Sequence, residues 1–176
     1  GAQVRVVMTP AAKRFVSPLT FEALTRCKVL TQDSEDWASD LNHIDCAKWA
    51  ELMIVAPATA NTINKLSKGI ADNLLTQTYL ATKAKTIVAP AANTNMIEDA
   101  NTVASLKMLK VNETAIVEPQ NKALACNDIG KGALADPEDI ADAAIRALLS
   151  DEYYKDRKVI VTSGGSREKI DDVRFV

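Results

Sequence analysis

Met53-Ile-Val-Ala-Pro-Ala-Thr-Ala-Asn61 and Thr86-Ile-Val-Ala-Pro-Ala-Ala-Asn93 are one local design used twice. In each, a short β-branched run reads as a strand, Ala-Pro-Ala ends it, and an asparagine follows. Proline cannot donate to a β-ladder, and alanines let a ligand or a second backbone come close. The runs are apolar at consecutive rather than alternating positions, the mark of parallel strands covered on both faces. In open sheets of this kind, ligands sit beyond the carboxyl ends of the strands. Asn61 and Asn93 are therefore expected on the functional edge. Either stretch alone could be a strand-terminating turn; the matched pair favours a site.

Working outward, Val4–Met8, Thr114–Val117 and Lys158–Thr162 are further strand candidates. Helical periodicity marks Ala71–Thr82, Glu98–Lys110 and Pro137–Leu149, the last with Asp136 as N-cap and Pro137 at its first position. Strands alternating with amphipathic helices predict an α/β fold, a doubly wound parallel sheet in three layers, flavodoxin- or Rossmann-like. Residues 32–42, rich in Asp, Ser, Glu and Asn, read as an exposed loop. A domain over 1–150, a charged connector over 151–157 and the start of another unit over 158–176 are the expected divisions. In that last unit a strand runs into Thr162-Ser-Gly-Gly-Ser-Arg167, whose glycines would allow close approach to phosphate.

The 176 residues suffice for one domain with a sizeable core. A net charge of −2 gives no electrostatic case for nucleic acid or an anionic membrane. No apolar run approaches the roughly 18 residues of a transmembrane helix, and no signal peptide is visible. Three scattered cysteines, Cys27, Cys46 and Cys126, do not form a disulfide framework, so a reducing, cytoplasmic setting is expected. One histidine and no close cysteine pair leave no standard zinc site, and no metal is expected in this domain.

Asn42-His43-Ile44-Asp45 reads as a helix start with Asn42 as N-cap. His43 then lies in the first turn, where the positive end of the helix disfavours imidazolium. A neutral imidazole suits a general base, although a lone histidine can equally be a surface or interface residue. Cys126 lies in Leu124-Ala-Cys-Asn-Asp-Ile-Gly-Lys-Gly132, whose composition predicts a loop and an accessible thiol. Cys27 and Cys46 read as packing residues. Lys65, Lys68 and Lys131 could hold a phosphate, but scattered lysines usually just solvate a surface, and they are not taken as site residues.

With these pieces placed, the chain resembles the homo-oligomeric flavin-containing cysteine decarboxylases. The likeness is strongest to the phosphopantothenoylcysteine decarboxylase domain of bifunctional coenzyme A biosynthesis flavoproteins. It rests on His43-Ile-Asp-Cys-Ala-Lys-Trp-Ala50, Ala56-Pro-Ala-Thr-Ala-Asn-Thr62, Gly69-Ile-Ala-Asp-Asn-Leu-Leu75, Pro90-Ala-Ala-Asn-Thr-Asn-Met96 and Ala125-Cys-Asn-Asp-Ile-Gly-Lys-Gly132. Val161-Thr-Ser-Gly-Gly-Ser-Arg-Glu168 and Asp171-Asp-Val-Arg-Phe175 look like the opening of the fused phosphopantothenate–cysteine ligase.

The resemblance implies FMN as cofactor and 4′-phosphopantothenoylcysteine as substrate, decarboxylated to 4′-phosphopantetheine through a thioaldehyde and an enethiolate. It implies His43 as the base, Asn93 as the amide that grips the substrate carboxylate, and Cys126 as the proton donor on a closing flap. Met96 matches the substrate motif. Thr59, Ala60, Asn61, Thr62 and Ala91 match flavin contacts, with Thr9 and Phe15 beside them. Trimers, or multiples of trimers, with flavin sites at subunit contacts are implied, and magnesium and CTP belong to the ligase part alone. Ala92 departs from the family's usual methionine. The family's first strand, Gly-Ser-rich turn and helix have no counterpart before Gly1, so a sequence cut at both ends is expected. A peptidyl-cysteine decarboxylase and a non-catalytic flavin-binding regulatory relative are the alternatives. The ligase-like tail speaks against the first, and His43, Asn93 and Cys126 together against the second. No G-x-G-x-x-G follows a strand, which disfavours a stand-alone dinucleotide-binding domain.

Overall fold

A computed structural model describes residues 2–123 and 129–150, with Lys158 and Ile160. The two repeated stretches form its parallel centre. Strand β1 (Leu52–Ala58) pairs with β2 (Lys85–Pro90) in parallel, with Ile54 opposite Ile87 and Val55 opposite Val88. Strand β3 (Ala115–Ile116) extends the sheet on the other side of β2, also in parallel. Strand β1 runs one residue past its proline, to Ala58, whereas β2 ends at Pro90 as expected. The ladder accommodates Pro57 by a register shift between Val55 and Ala58, as a residue without an N–H requires.

Residues 86–90 of β2 are all buried, as the consecutive apolar run predicts. Strand β1 is covered less: Val55 and Ala58 are buried, whereas Ile54 is 43% exposed. Among the described residues β1 is paired with β2 alone.

Helices α3 (Ala60–Ser67) and α4 (Leu74–Ala81) connect β1 to β2; α5 (Thr94–Glu98) and α6 (Ala100–Val111) connect β2 to β3. Helices α3 and α6 pack together, and Ile63, Leu66 and Leu109 close over Val55 and Val88 to form the main core. The opposite face carries Lys85 and Ile87, because side chains alternate along a strand. Helix α7 (Pro137–Leu149) covers that face, and Lys85 Nζ donates to Ala147 O at 2.7 Å. This is the expected α/β arrangement, with helices on both sides of a parallel sheet.

Local chemistry explains where the boundaries differ from expectation. The helix expected over 71–82 starts at Leu74, because Asn73 and Thr76 form a reciprocal capping box. The helix expected over 98–110 is broken at Asp99, which is extended and caps α6 by accepting from Asn101 N. Asp136 precedes α7 but makes no capping bond to it; Gln120 Nε2 donates to its Oδ2 at 2.8 Å. Val4–Met8 makes one parallel bridge, Val7 to Leu30, rather than a full strand. Its partner segment is short and turns away at Thr31–Ser34.

Helices α1 (Pro18–Thr25) and α3 lie outside the helices expected from periodicity. Gly69, at φ 66°, ends α3, with Ile70 N donating back to Lys65 O at 3.0 Å. The segment expected as a loop after Leu124 is, where described, one arm of a hairpin: β4 (Gln120–Ala123) pairs antiparallel with β5 (Ile129–Ala133). The candidate strand Lys158–Thr162, the connector 151–157 and most of the second unit lie outside the described residues.

Candidate functional site

The carboxyl ends of β1 and β2 meet directly. Ala91 N donates to Ala58 O at 2.8 Å, which fixes the segment after one strand against the end of the other. Beyond β1, Thr59 caps α3: its hydroxyl accepts from Thr62 N at 3.3 Å and pairs with the Thr62 hydroxyl at 3.1 Å. Ala60 is buried behind them, while Asn61 is exposed and its amide has no partner among the described residues. Beyond β2, Asn93 caps α5 by accepting from Asn95 N at 2.9 Å, and Met96 stands 50% exposed one turn on. At Ala91, one of the expected contacts, the N–H is already bonded to Ala58.

The hairpin arm β5 lies directly on this edge. Ala92 N donates to Gly132 O at 3.0 Å. A Cβ at Gly132 would overlap the Ala92 carbonyl oxygen, and one at Gly130 would overlap the Thr94 hydroxyl. Only glycine permits so close an approach of two backbones. Thr94 Oγ1 is buried without a hydrogen-bond partner among the described residues. Cys126 lies outside the described residues.

His43 is placed by different elements. Helix α2 (His43–Trp49) begins as expected, with Asn42 accepting from Asp45 N at 2.9 Å. The ring Nδ1 lies 2.7 Å from Glu35 Oε1, and Trp37 meets the ring edge-on at 5.3 Å between centroids. A carboxylate therefore faces the imidazole where the sequence pointed only to the positive end of a helix. Nothing in the sequence marks Glu35 or Trp37, because both fall in the polar 32–42 loop. Thr9 Oγ1 accepts from Ala12 N at 3.2 Å at the start of a short 3-10 turn, and Phe15 at its end is 88% exposed.

Lys65 and Cys46 have structural employment. Lys65 donates to Asp72 Oδ2 at 2.5 Å, and this bond holds the exposed Asp72 carboxyl below its usual range. Burial pushes the Cys46 thiol up, against the opposing pull of Arg5. A cavity of about 620 Å³ lies beside α2, lined by Arg5, Cys27, Ser34, Asp40 and Cys46 among others. None of the residues expected to meet flavin or substrate is among its described lining, so it does not mark the strand-edge site. No cluster of three or more His, Cys, Asp or Glu side chains able to hold a metal occurs among the described residues. No described helix is long and apolar enough to cross a membrane.

A family model described as Flavoprotein matches residues 1–149. The chain belongs to the flavoprotein family. This flavoprotein is 44% identical over 178 aligned positions to the coenzyme A biosynthesis bifunctional protein CoaBC of Bacillus subtilis strain 168, covering 99% of the chain and 44% of that protein. It thus spans less than half the length of that relative. Its structure is similar to a PPC decarboxylase mutant complexed with pantothenoylaminoethenethiol, with a TM-score of 0.75, 31% identity and 82% of each chain covered. It is also similar to the FMN binding protein AtHal3, with a TM-score of 0.71, 33% identity, 82% of this chain and 80% of that one.

The strand edge fits a flat, hydrogen-bonding ring such as a flavin's. Its floor is built of buried small residues, Ala58, Ala60 and Ala89, and no bulky side chain stands on the strand ends themselves. The exposed Asn61 amide offers both donors and an acceptor. The structure therefore unites Ala58–Thr62 with Ala91–Thr94, while His43, Thr9 and Phe15 are each held by separate local elements.

Proposed function

We propose that this chain is the FMN-dependent decarboxylase part of a bifunctional coenzyme A biosynthesis protein, converting 4′-phosphopantothenoylcysteine to 4′-phosphopantetheine. The observation that carries this reading is the joined pair of strand ends with a hairpin seated over Ala92–Thr94. It brings a small-residue floor, the exposed Asn61 amide and a backbone segment packed over Ala92–Thr94 to one place. The likeness to the PPC decarboxylase structure directs the reading to this substrate.

A bound flavin supplies reversible two-electron chemistry. Thr59, Ala60, Asn61, Thr62 and Ala91 would hold its ring, with Thr9 and Phe15 at the margin. The chain's own groups orient substrate and move protons. Asn93 holds the substrate carboxylate through its amide until carbon dioxide leaves. His43 accepts the proton released as the CH2–SH group is oxidised. Cys126 returns a proton to the enethiolate carbon; a thiol with an ordinary pKa of about 8.5 is protonated at neutral pH, as that step needs. Met96 lines the substrate.

Self-association as a trimer or multiple of trimers belongs to the same reading. Exposed Phe15, Leu24 and Trp37 are the kind of surface a subunit contact covers, and His43 would then act on substrate held largely by a neighbour. Residues 158–176 would open the ligase, to which magnesium and CTP belong.

The test follows flavin absorbance and carbon dioxide release with phosphopantothenoylcysteine. His43→Asn is expected to block before flavin bleaching, whereas Cys126→Ser bleaches and stalls at the enethiol. Unchanged turnover in both variants refutes the assignments.

A further inference from the structure

We infer that Glu35 is a positioning residue for His43: it accepts the Nδ1–H of the imidazole and so makes Nε2 the nitrogen that takes the proton. The inference rests on the proposed reaction for its purpose, and on the geometry for its content. Glu35 Oε1 lies 2.7 Å from His43 Nδ1 and also receives the His43 backbone N–H, at 3.4 Å. One oxygen thus meets the ring and the main chain of the same residue, which fixes the ring's direction as well as its distance. The two side chains retain only 17% and 20% of their exposure, a setting in which a charge-assisted hydrogen bond is screened less than on an open surface.

Both partners are held independently of their bond to each other. Glu35 N donates to Thr31 O at 3.0 Å, and the turn before it is tied by Thr31 N to Ser34 Oγ at 2.8 Å and Ser34 Oγ to Val29 O at 2.8 Å. Beyond it, Asp36 N donates to Leu41 O at 2.9 Å. His43 is fixed by the Asn42 cap of α2, and Asn42 Nδ2 also donates to Ser39 O at 3.2 Å. Trp37 closes on the ring at 90° and 5.3 Å, opposing rotation of the imidazole out of line. A neutral imidazole carries one N–H. A carboxylate at Nδ1 claims it, and the lone pair left at Nε2 is the base. When Nε2 takes a proton, the same carboxylate faces the positive ring that results, so no group has to move to accommodate the new charge.

The chain has a single histidine, so [15N]histidine labelling reports on His43 alone. In the FMN-loaded chain the neutral ring is expected to show a protonated Nδ1 and a bare Nε2. Glu35→Leu is expected to return the ring toward the Nε2–H form and to lower kcat about 10-fold or more with KM little changed, within the ~10²–10⁴ a general base supplies. Glu35→Gln keeps an acceptor at the same place and is expected to restore the Nδ1–H form and part of the rate. Retained protection of the Asp45 amide shows that the α2 cap survives in each variant. An Nε2–H ring in the wild type, an unchanged ring in Glu35→Leu, or a Gln variant no better than Leu would overturn the inference. A wild-type chain with the Nδ1–H ring and no turnover of phosphopantothenoylcysteine would count against the proposed reaction, while the pairing would stand on the spectrum.

Discussion

Gly132→Ala tests whether the β4–β5 hairpin is a cover held by one close backbone contact. The new methyl group would overlap the Ala92 carbonyl oxygen and sit 3.4 Å from Thr94 N, so the arm cannot stay where it is. Overpacking of this kind costs about 1–3 kcal/mol. Lifting the arm also loses the 3.0 Å bond from Ala92 N to Gly132 O, a further loss of about 0.5–1.5 kcal/mol. At about 1.4 kcal/mol per decade, the docked state weakens by roughly 10- to 1,000-fold. The change is local, because the Ala91 N–H is bonded to Ala58 rather than to the hairpin. Native-state hydrogen exchange should therefore show Ala92 losing protection by that factor while Ala91 keeps its own. Unaltered protection at Ala92 in a folded variant, or equal loss at both amides, would refute the close-contact argument.

Other consequences are equally direct. Ile63→Ala removes a side chain with no solvent exposure between α3 and the sheet, and should cost about 2–5 kcal/mol in urea unfolding with an unchanged m-value. Asn73→Ala deletes the half of the α4 capping box in which the Asn73 side chain accepts from Thr76 N and should cost about 1 kcal/mol, read as a lower urea midpoint. Cys46, buried with its thiol pushed up, should react with iodoacetamide far more slowly than the half-buried Cys27, followed by mass spectrometry. The same shift makes the folded chain bind more protons than the unfolded one above the ordinary thiol value. Stability should then fall as pH rises from about 8.5 toward the raised native value, and Cys46→Ala should flatten that part of a Tm-against-pH curve.

Much of the fold is legible in residue order because its signals are local. The runs at 53–56 and 86–89 contain the β-branched residues of a covered parallel strand, and both lie within observed strands. Asn42 and Pro137 mark helix starts by chemistry confined to one turn, and both helices begin there. Boundaries were less legible where two local signals compete. Asp99 reads as a helical surface residue by periodicity, yet it is extended and caps the helix that follows. Gln120–Ala123 showed no strand signal, because a hairpin resting on another segment owes its stability to that contact and not to its own apolar pattern.

The candidate site divides in the same way. The chain's own order of residues established the paired Ala-Pro-Ala ends, the asparagines after them and the histidine at a helix start, because each is a short-range pattern tied to backbone geometry. Tertiary structure alone brought Ala91 to Ala58, Gly132 to Ala92 and Glu35 to His43. Those meetings depend on how turns and strand pairings fold the chain back through space, and hydrogen bonding acts over about 3 Å regardless of separation along the chain. A glutamate in a polar loop looks like any solvated charge until the fold sets an imidazole beside it.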